Sequence, residues 1–316
     1  MKAFVTGGAG FIGSHLVDRL LEDGYEVTAV DNLAEGRPEN VAHLKGERRF
    51  AFRKADIRDA AEMERLLAGH DVVFHMAAHA NIRTSLVDHR ADLDHNLVGT
   101  LNILEGMLKN GVRDLVFAST SSLYGEATVR PTPEDYMPVQ TSLYGASKLA
   151  CEAYSQGFTQ FSDISFWAYR FSNVIGERCR RGVIWDFVKK LRRNPRELEI
   201  LGDGRQSKEY IYVKDCVDGI ITGYEKSKQR VNPFNLAVEE NTTPDQIADV
   251  VIREMGLSGV KRTHTGGPRG WIGDIPVVHL SIEKIKGLGW RPAVPSGEAI
   301  TRTARWAISE QGRAGA

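Results

Sequence analysis

The chain lacks any apolar run approaching the ~18 residues of a membrane-spanning helix, so no such helix is expected. It lacks net charge: 41 Lys and Arg balance 41 Asp and Glu. That argues against a basic nucleic-acid surface and a polybasic membrane anchor. Cysteine is scarce, and Cys151, Cys179 and Cys216 lie far apart. They make neither a disulfide framework nor a metal-spaced cluster, so a reducing cytoplasm is the expected compartment. The 9 histidines lack the spacing of a zinc site, and no metal is expected. There is no internal repeat, no low-complexity segment and no leader-like N-terminal stretch. What remains is a chain of 316 residues, long enough to bury a large core in one large domain or two.

What is present begins at once. Lys2–Thr6 is a short apolar run, followed by Gly7-Gly8-Ala9-Gly10-Phe11-Ile12-Gly13 and then by a helical pattern over 14–22. Strand, glycine turn and helix open a dinucleotide-binding βαβ unit. Gly7 allows the tight turn, Gly10 lets the backbone approach a pyrophosphate, and Gly13 lets the helix pack on the sheet. The new helix offers free N–H groups to phosphate. A second apolar run, 26–30, ends in Asp31, where a carboxylate binds ribose hydroxyls. The absence of an Arg directly after Asp31 favours NAD over NADP.

Further strands are expected at 49–54, 72–75, 115–118 and 165–170, with helices at 60–67, 89–109 and 143–160. Such alternation predicts an α/β fold, a doubly wound and mostly parallel sheet with its site at the strand C-termini. After residue 172 the pattern loosens, with helices at 183–193 and 244–254. Residues 1–172 are therefore read as a Rossmann domain. Residues 173–316 are read as a smaller α/β substrate-binding portion, some of whose segments return to the first sheet.

Tyr144 and Lys148 stand four apart near a helix start and share a face. A phenol titrates near about 10, and an adjacent ammonium favours its anion, which would make Tyr144 a base. Ser119, Thr120, Ser121 and Ser122 add hydroxyls at the end of the 115–118 strand.

With these residues in view, the chain resembles the extended short-chain dehydrogenases/reductases of the nucleotide-sugar epimerase/dehydratase family. The glycine turn, with Phe11 and Ile12, matches that family's cofactor turn, and Asn32 follows the ribose carboxylate. Asp56-Ile57 resembles its adenine contact. His75-Met76-Ala77-Ala78 resembles the loop beneath the nicotinamide ribose, and Asn96 a helix residue supporting the site. Ser119 to Gly125 and Tyr144-Gly145-Ala146-Ser147-Lys148 resemble the catalytic segments. Arg170-Phe171-Ser172-Asn173-Val174 and the stretch from Gly202 to Asp215 resemble the segments lining the sugar nucleotide. Arg269 to Asp274 resembles the late diphosphate and ribose loop.

The resemblance implies NAD as cofactor, held by Gly7, Gly10, Phe11, Ile12, Gly13, Asp31, Asn32, Asp56, Ile57, Ala77, Ala78, Asn96, Tyr144, Lys148 and Phe171. It implies Thr120, Tyr144 and Lys148 as the catalytic set. A UDP-sugar would then meet Thr120, Ser122, Tyr144, Asn173, Val183, Lys208, Tyr210, Arg269, Asp274 and Val278. Dehydratases of the family place acidic residues where this chain has Ser121 and Ser122, so an elimination lacks its acid and base. A 4-epimerase needs only the tyrosine, a hydroxyl partner and the cofactor. UDP-glucose/UDP-galactose 4-epimerisation is thus the implied activity. The small Val278, at the sugar's C2 side, implies tolerance of N-acetylhexosamines. A UDP-glucuronate 4-epimerase, with Arg180 on the carboxylate, stays open. So do an NADP-dependent ketone reductase and a non-catalytic dinucleotide sensor, both less favoured. The helices at 89–109 and 143–160 are those that relatives pair into a homodimer, with Met107, Leu108 and Tyr154 as contacts.

Overall fold

The computed structural model describes residues 1–82 and 84–313; the last three positions of the expected second portion lie outside them. The first half is β1 (Lys2–Thr6), α1 (Phe11–Glu22), β2 (Glu26–Asp31), β3 (Phe50–Lys54), α2 (Ala60–Leu67), β4 (Val72–His75), α3 (Gly99–Asn110), β5 (Asp114–Thr120), α4 (Leu143–Phe161) and β6 (Ser165–Phe171). Then follow β7 (Asn173–Ile175), α5 (Val183–Arg193), β8 (Glu197–Ile200), β9 (Lys208–Tyr212), α6 (Val213–Lys226) and β10 (Val231–Leu236). The chain closes with β11 (Asn241–Thr242), α7 (Pro244–Glu254), β12 (Lys261–His264), α8 (Glu283–Lys286) and α9 (Ser296–Arg313).

Seven strands form one sheet in the order β10-β6-β5-β4-β1-β2-β3, every pair parallel. A parallel sheet needs both faces covered. Alternation along the strands supplies the two apolar sets. Phe4, Val73, Leu115 and Phe117 pack with Ile103, Leu104 and Met107 of α3. Val5, Phe74 and Val116 pack with Leu16 and Leu20 of α1 and Ile220 of α6. Because all strands run one way, their C-termini share one edge. Gly7, Asp31, Asp56, Ala77, Thr120 and Phe171 all sit at or just past it. β10 comes from the second half and adds to the first sheet beside β6.

The helix expected at 89–109 carries an irregularity: Leu93–Val98 is wound as a π-helix before α3 begins. π-turns of this kind cluster at functional sites. This one holds Asn96, whose amide is drawn to the backbone of His79. Met107 is fully buried in the core with Ile103 and Leu104, so it is not available as a contact between subunits. Leu108 and Tyr154 do remain exposed.

A third apolar cluster joins α5, α7 and α9 to β8 and β9 through Phe187, Leu191, Ile247, Val251 and Ile300. β9 also carries the inaccessible Glu209, which fixes a neighbouring segment. The Leu280 N–H lies 3.1 Å from each carboxyl oxygen, and His279 Nδ1 lies 3.0 Å from one of them. Ser207, just before β9, donates to the Pro276 carbonyl and accepts from the Val278 N–H, and Lys208 of β9 meets Asp274, so this strand sets the position of Asp274 and Val278. Burial pushes Glu209 up to about 9. The folded chain therefore keeps a proton that the unfolded chain releases near 4.5, and stability falls as pH rises between those values. Glu209→Gln should flatten this slope, so that its melting temperature gains on the wild type from pH 5 to 9. Parallel melting curves over that range would count against it.

Candidate active site

The glycine turn is built for a close approach. Gly7 has φ +64°, and a Cβ there would fall 2.7 Å from the backbone nitrogen of Ala77. A Cβ on Gly13 would fall 2.1 Å from the Gly7 carbonyl oxygen, an unyielding backbone contact. The turn and the first turn of α1 open onto a groove of about 480 Å³. Gly7, Gly10, Phe11, Ile12, Gly13, Asp31, Asn32, Ile57, Ala77 and Ala78 line it. This cradle of glycines beside a helix N-terminus fits a dinucleotide's pyrophosphate. At its far wall Asp31 accepts from the Ala9 and Leu33 N–H groups, at 3.0 and 2.8 Å. Asp56 does not line the groove. Hydrogen bonds from Arg58 and Asn32 hold its carboxyl well below the usual carboxylate range, and so it fixes the loop that carries Ile57. Asn96 likewise stands behind the groove, as does Phe171, packed in the sheet core.

The catalytic candidates meet at the end of β5. Thr120 caps the turn that follows, its Oγ1 accepting from the Ser122 N–H at 3.1 Å. Burial raises the Tyr144 phenol; the charge of Arg181 and the Thr120 hydroxyl oppose that rise. Lys148, only 2% exposed, donates to the Ala118 carbonyl at 2.8 Å and lies 4.4 Å from the centre of the Phe117 ring. Burial pushes its ammonium down to about 8. Among the named charges acting on the phenol, that of Arg181 is the largest. Ser119 turns away from the site and donates to Glu152 at 2.5 Å. Glu152 also takes a two-point bond from Arg170, so a buried ion pair supports the floor beneath Thr120.

The residues expected to grip the sugar nucleotide are brought together, but largely on each other. Lys208 Nζ lies 2.5 Å from Asp274 Oδ1. Arg269 pairs with Glu126 at 2.5 Å and donates to the Asp274 carbonyl. Asn173 donates to the Glu209 carbonyl, joining β7 to β9. Tyr210 and Val183 pack in or against the C-terminal apolar cluster. Val278 is buried in the same cluster as Leu123, Tyr124 and Phe171. Arg180 is committed elsewhere, to Glu310 at 2.6 Å and to Asn40.

The groove also has a wall that the motifs did not reveal. Arg178, Cys179, Arg180 and Arg181 face the glycine turn, and His79, His95 and Asn40 complete the lining. Asn40 donates to the Ala9 carbonyl within the turn itself. Spacing gave no signal for Asn40, His79, His95 or Cys179, because the topology brings them in from three separate connections. Among the described residues no group of three His, Cys, Asp or Glu is placed to hold a metal.

A family model described as the NAD dependent epimerase/dehydratase family matches residues 3–237. A putative UDP-glucose 4-epimerase of Methanocaldococcus jannaschii is 35% identical over 308 residues, covering 96% of this chain and 97% of its own. The structure of a UDP-glucose 4-epimerase from Thermotoga maritima, with UDP-glucose, superposes with a TM-score of 0.89 at 34% identity, covering 98% and 100% of the two chains. That of a UDP-glucuronic acid 4-epimerase from Bacillus cereus, with UDP-glucuronic acid and NAD, gives 0.89 at 28% identity and the same coverage.

Proposed function

Because the chain belongs to the NAD-dependent epimerase/dehydratase family and its cofactor is NAD, we propose that it inverts C4 of UDP-glucose and UDP-galactose. The carrying observation is the hydroxyl turn. The Thr120 hydroxyl favours the Tyr144 phenolate, while Ser121 and Ser122 occupy the positions from which an elimination would need an acid and a base. When bound, NAD takes up the C4 hydrogen and gives it back. Gly7, Gly10 and Gly13 would hold its pyrophosphate, Asp31 and Asn32 the adenosine ribose, and Ile57 the adenine.

Tyr144, as phenolate, takes the O4 proton and later returns it, with Thr120 sharing the hydrogen bond. Arg181 favours that anion against the cost of burial. Lys148 holds the ribose next to the tyrosine. Lys208 and Arg269 exchange their present carboxylate partners for the diphosphate, which frees Asp274 for the uridine ribose. Tethered in this way, the sugar presents its other face to the same tyrosine. The small Val278 leaves room for an N-acetyl group at C2. The pairing of Arg180 with Glu310 counts against its use on a uronate carboxylate.

The chain would act as a homodimer through the exposed side of α3 and α4, where Leu108, Tyr154 and Phe161 are exposed. We place it in the cytoplasm: its three cysteines are free and buried, and no described helix is long and apolar enough to cross a membrane. The test is turnover of UDP-galactose and UDP-N-acetylgalactosamine by the purified chain without added cofactor. Stoichiometric loss of NADPH would instead indicate a reductase, and silence on every UDP-sugar would indicate a sensor.

A further inference from the structure

Arg180 lies in the wall of the cofactor groove, and its guanidinium ties three distant segments together. Its Nη1 donates to Asn40 Oδ1 at 3.2 Å, 140 positions away in sequence. Its Nε and Nη2 donate to Glu310 Oε1 at 3.2 and 2.6 Å, 130 positions away. The guanidinium carbon lies 5.4 Å from the centre of the Trp306 ring, within cation–π range. The Arg180 and Glu310 side chains are only 18% and 25% exposed, so water screens this pair less than a surface pair.

Both ends of the bridge are anchored. Asn40 is buried, and its Nδ2 donates to the Ala9 carbonyl at 2.9 Å. That carbonyl also accepts from the Arg37 N–H at 2.9 Å, so the 37–40 segment rests on the glycine turn. Trp306 and Glu310 belong to α9, whose end is docked on α5. Arg192 donates to the Ile308 carbonyl at 2.5 Å and Gln311 to the Trp185 carbonyl at 3.0 Å. The wall before Arg180 is pinned to α1: His15 Nε2 donates to the Glu177 carbonyl at 3.0 Å, and Arg178 pairs with Asp18 at 2.8 Å. Arg178 holds φ +68°, a left-handed backbone that a side chain disfavours and that persists where the surroundings over-determine it.

Asn40 and Arg180 both line the groove, so the bond between them joins two stretches of its wall. One stretch sits on the turn that fits the pyrophosphate; the other faces that turn. We propose that Arg180 is the latch of the cofactor groove: it bridges the two stretches, Glu310 and Trp306 are its positioning residues, and NAD leaves when the bridge opens. Glu310 and Trp306 act only through Arg180. The inference rests on NAD as cofactor and not on which sugar is turned over.

The test measures release. The full chain is loaded with NADH, and the fluorescence of the bound dinucleotide is followed after excess NAD is added. Arg180→Met should speed release about tenfold, the usual worth of a hydrogen bond to a charged group. Glu310→Gln should speed it about threefold to fivefold, since the amide still accepts but no longer carries charge. The double variant should release no faster than Arg180→Met. Arg305→Ala cuts a different pair of α9, with Glu254 at 2.7 Å, and should leave release within twofold. The association rate of NADH, read by stopped flow, should stay within twofold in every variant, because an open latch does not deform the seat. Unchanged release in Arg180→Met, or in Glu310→Gln where that chain alone folds, would overturn the proposal. Slower association with unchanged release would do the same, since a merely structural role predicts it. Additive effects in the double variant, or equal effects of Arg305→Ala and Glu310→Gln, would overturn the positioning role of Glu310. A wild-type chain that bound no NADH would overturn the cofactor reading itself, an outcome distinct from all of these.

Discussion

Tyr144→Phe is expected to lower kcat by about 10²- to 10⁴-fold while leaving bound NAD in place. The change removes one oxygen and no packing volume to speak of. It takes away the group assigned to exchange a proton with the sugar O4. Thr120 stays a weak partner, since an aliphatic hydroxyl does not ionise near neutrality. Lys148 is assigned to the ribose, and it also donates to the Ala118 carbonyl, 2.8 Å away. Thr120→Ala should cost less, because the tyrosine keeps its proton chemistry and loses one hydrogen bond. Steady-state turnover together with the NAD content of the denatured protein checks both variants. A Tyr144→Phe protein within tenfold of wild type would remove Tyr144 from the mechanism.

Gly13→Ala is expected to abolish cofactor retention and turnover together. The added methyl would fall 2.1 Å from the Gly7 carbonyl oxygen and 2.9 Å from its carbon. Both are backbone atoms of the turn that receives the pyrophosphate, so relief requires moving the turn or tilting α1. Overpacking of this kind costs about 1–3 kcal/mol of stability, and the cradle is displaced besides. Gly157→Ala is the matched control. Gly157 lies in α4 with nothing within 4 Å of an added Cβ, so the helix should gain slightly or not change. The absorbance ratio of the purified proteins and their melting temperatures report the outcome. A Gly13→Ala chain that still carried a full complement of NAD would contradict the geometry of the turn.

The fold was legible because its signals are local and periodic. The apolar runs ending at Thr6, Asp31 and His75 mark strands buried on both faces, and the glycine turn marks the first crossover. The parallel order then follows from right-handed connections. Legibility failed where a residue's role depends on a distant partner. The motif around Lys208 marked a diphosphate grip, and nothing local shows that its ammonium lies against Asp274, 66 residues away. Arg178, Arg180 and Arg181 share one four-residue stretch. In the fold they divide: Arg178 meets Asp18, Arg180 meets Glu310, and Arg181 acts on Tyr144. His79 gave no signal, because Asp92 and Asn96 reach it only through the π-helical turn.

The central claim is that Tyr144 and a resident NAD invert C4 without net oxidation, so the hydrogen taken from C4 returns to C4. The most direct measurement uses UDP-galactose deuterated at C4, the purified chain and no added cofactor, with the product read by mass spectrometry and NMR. The account predicts UDP-glucose that keeps the deuterium at C4. Loss of the label to solvent, or no UDP-glucose at all from protein that carries NAD, would contradict it.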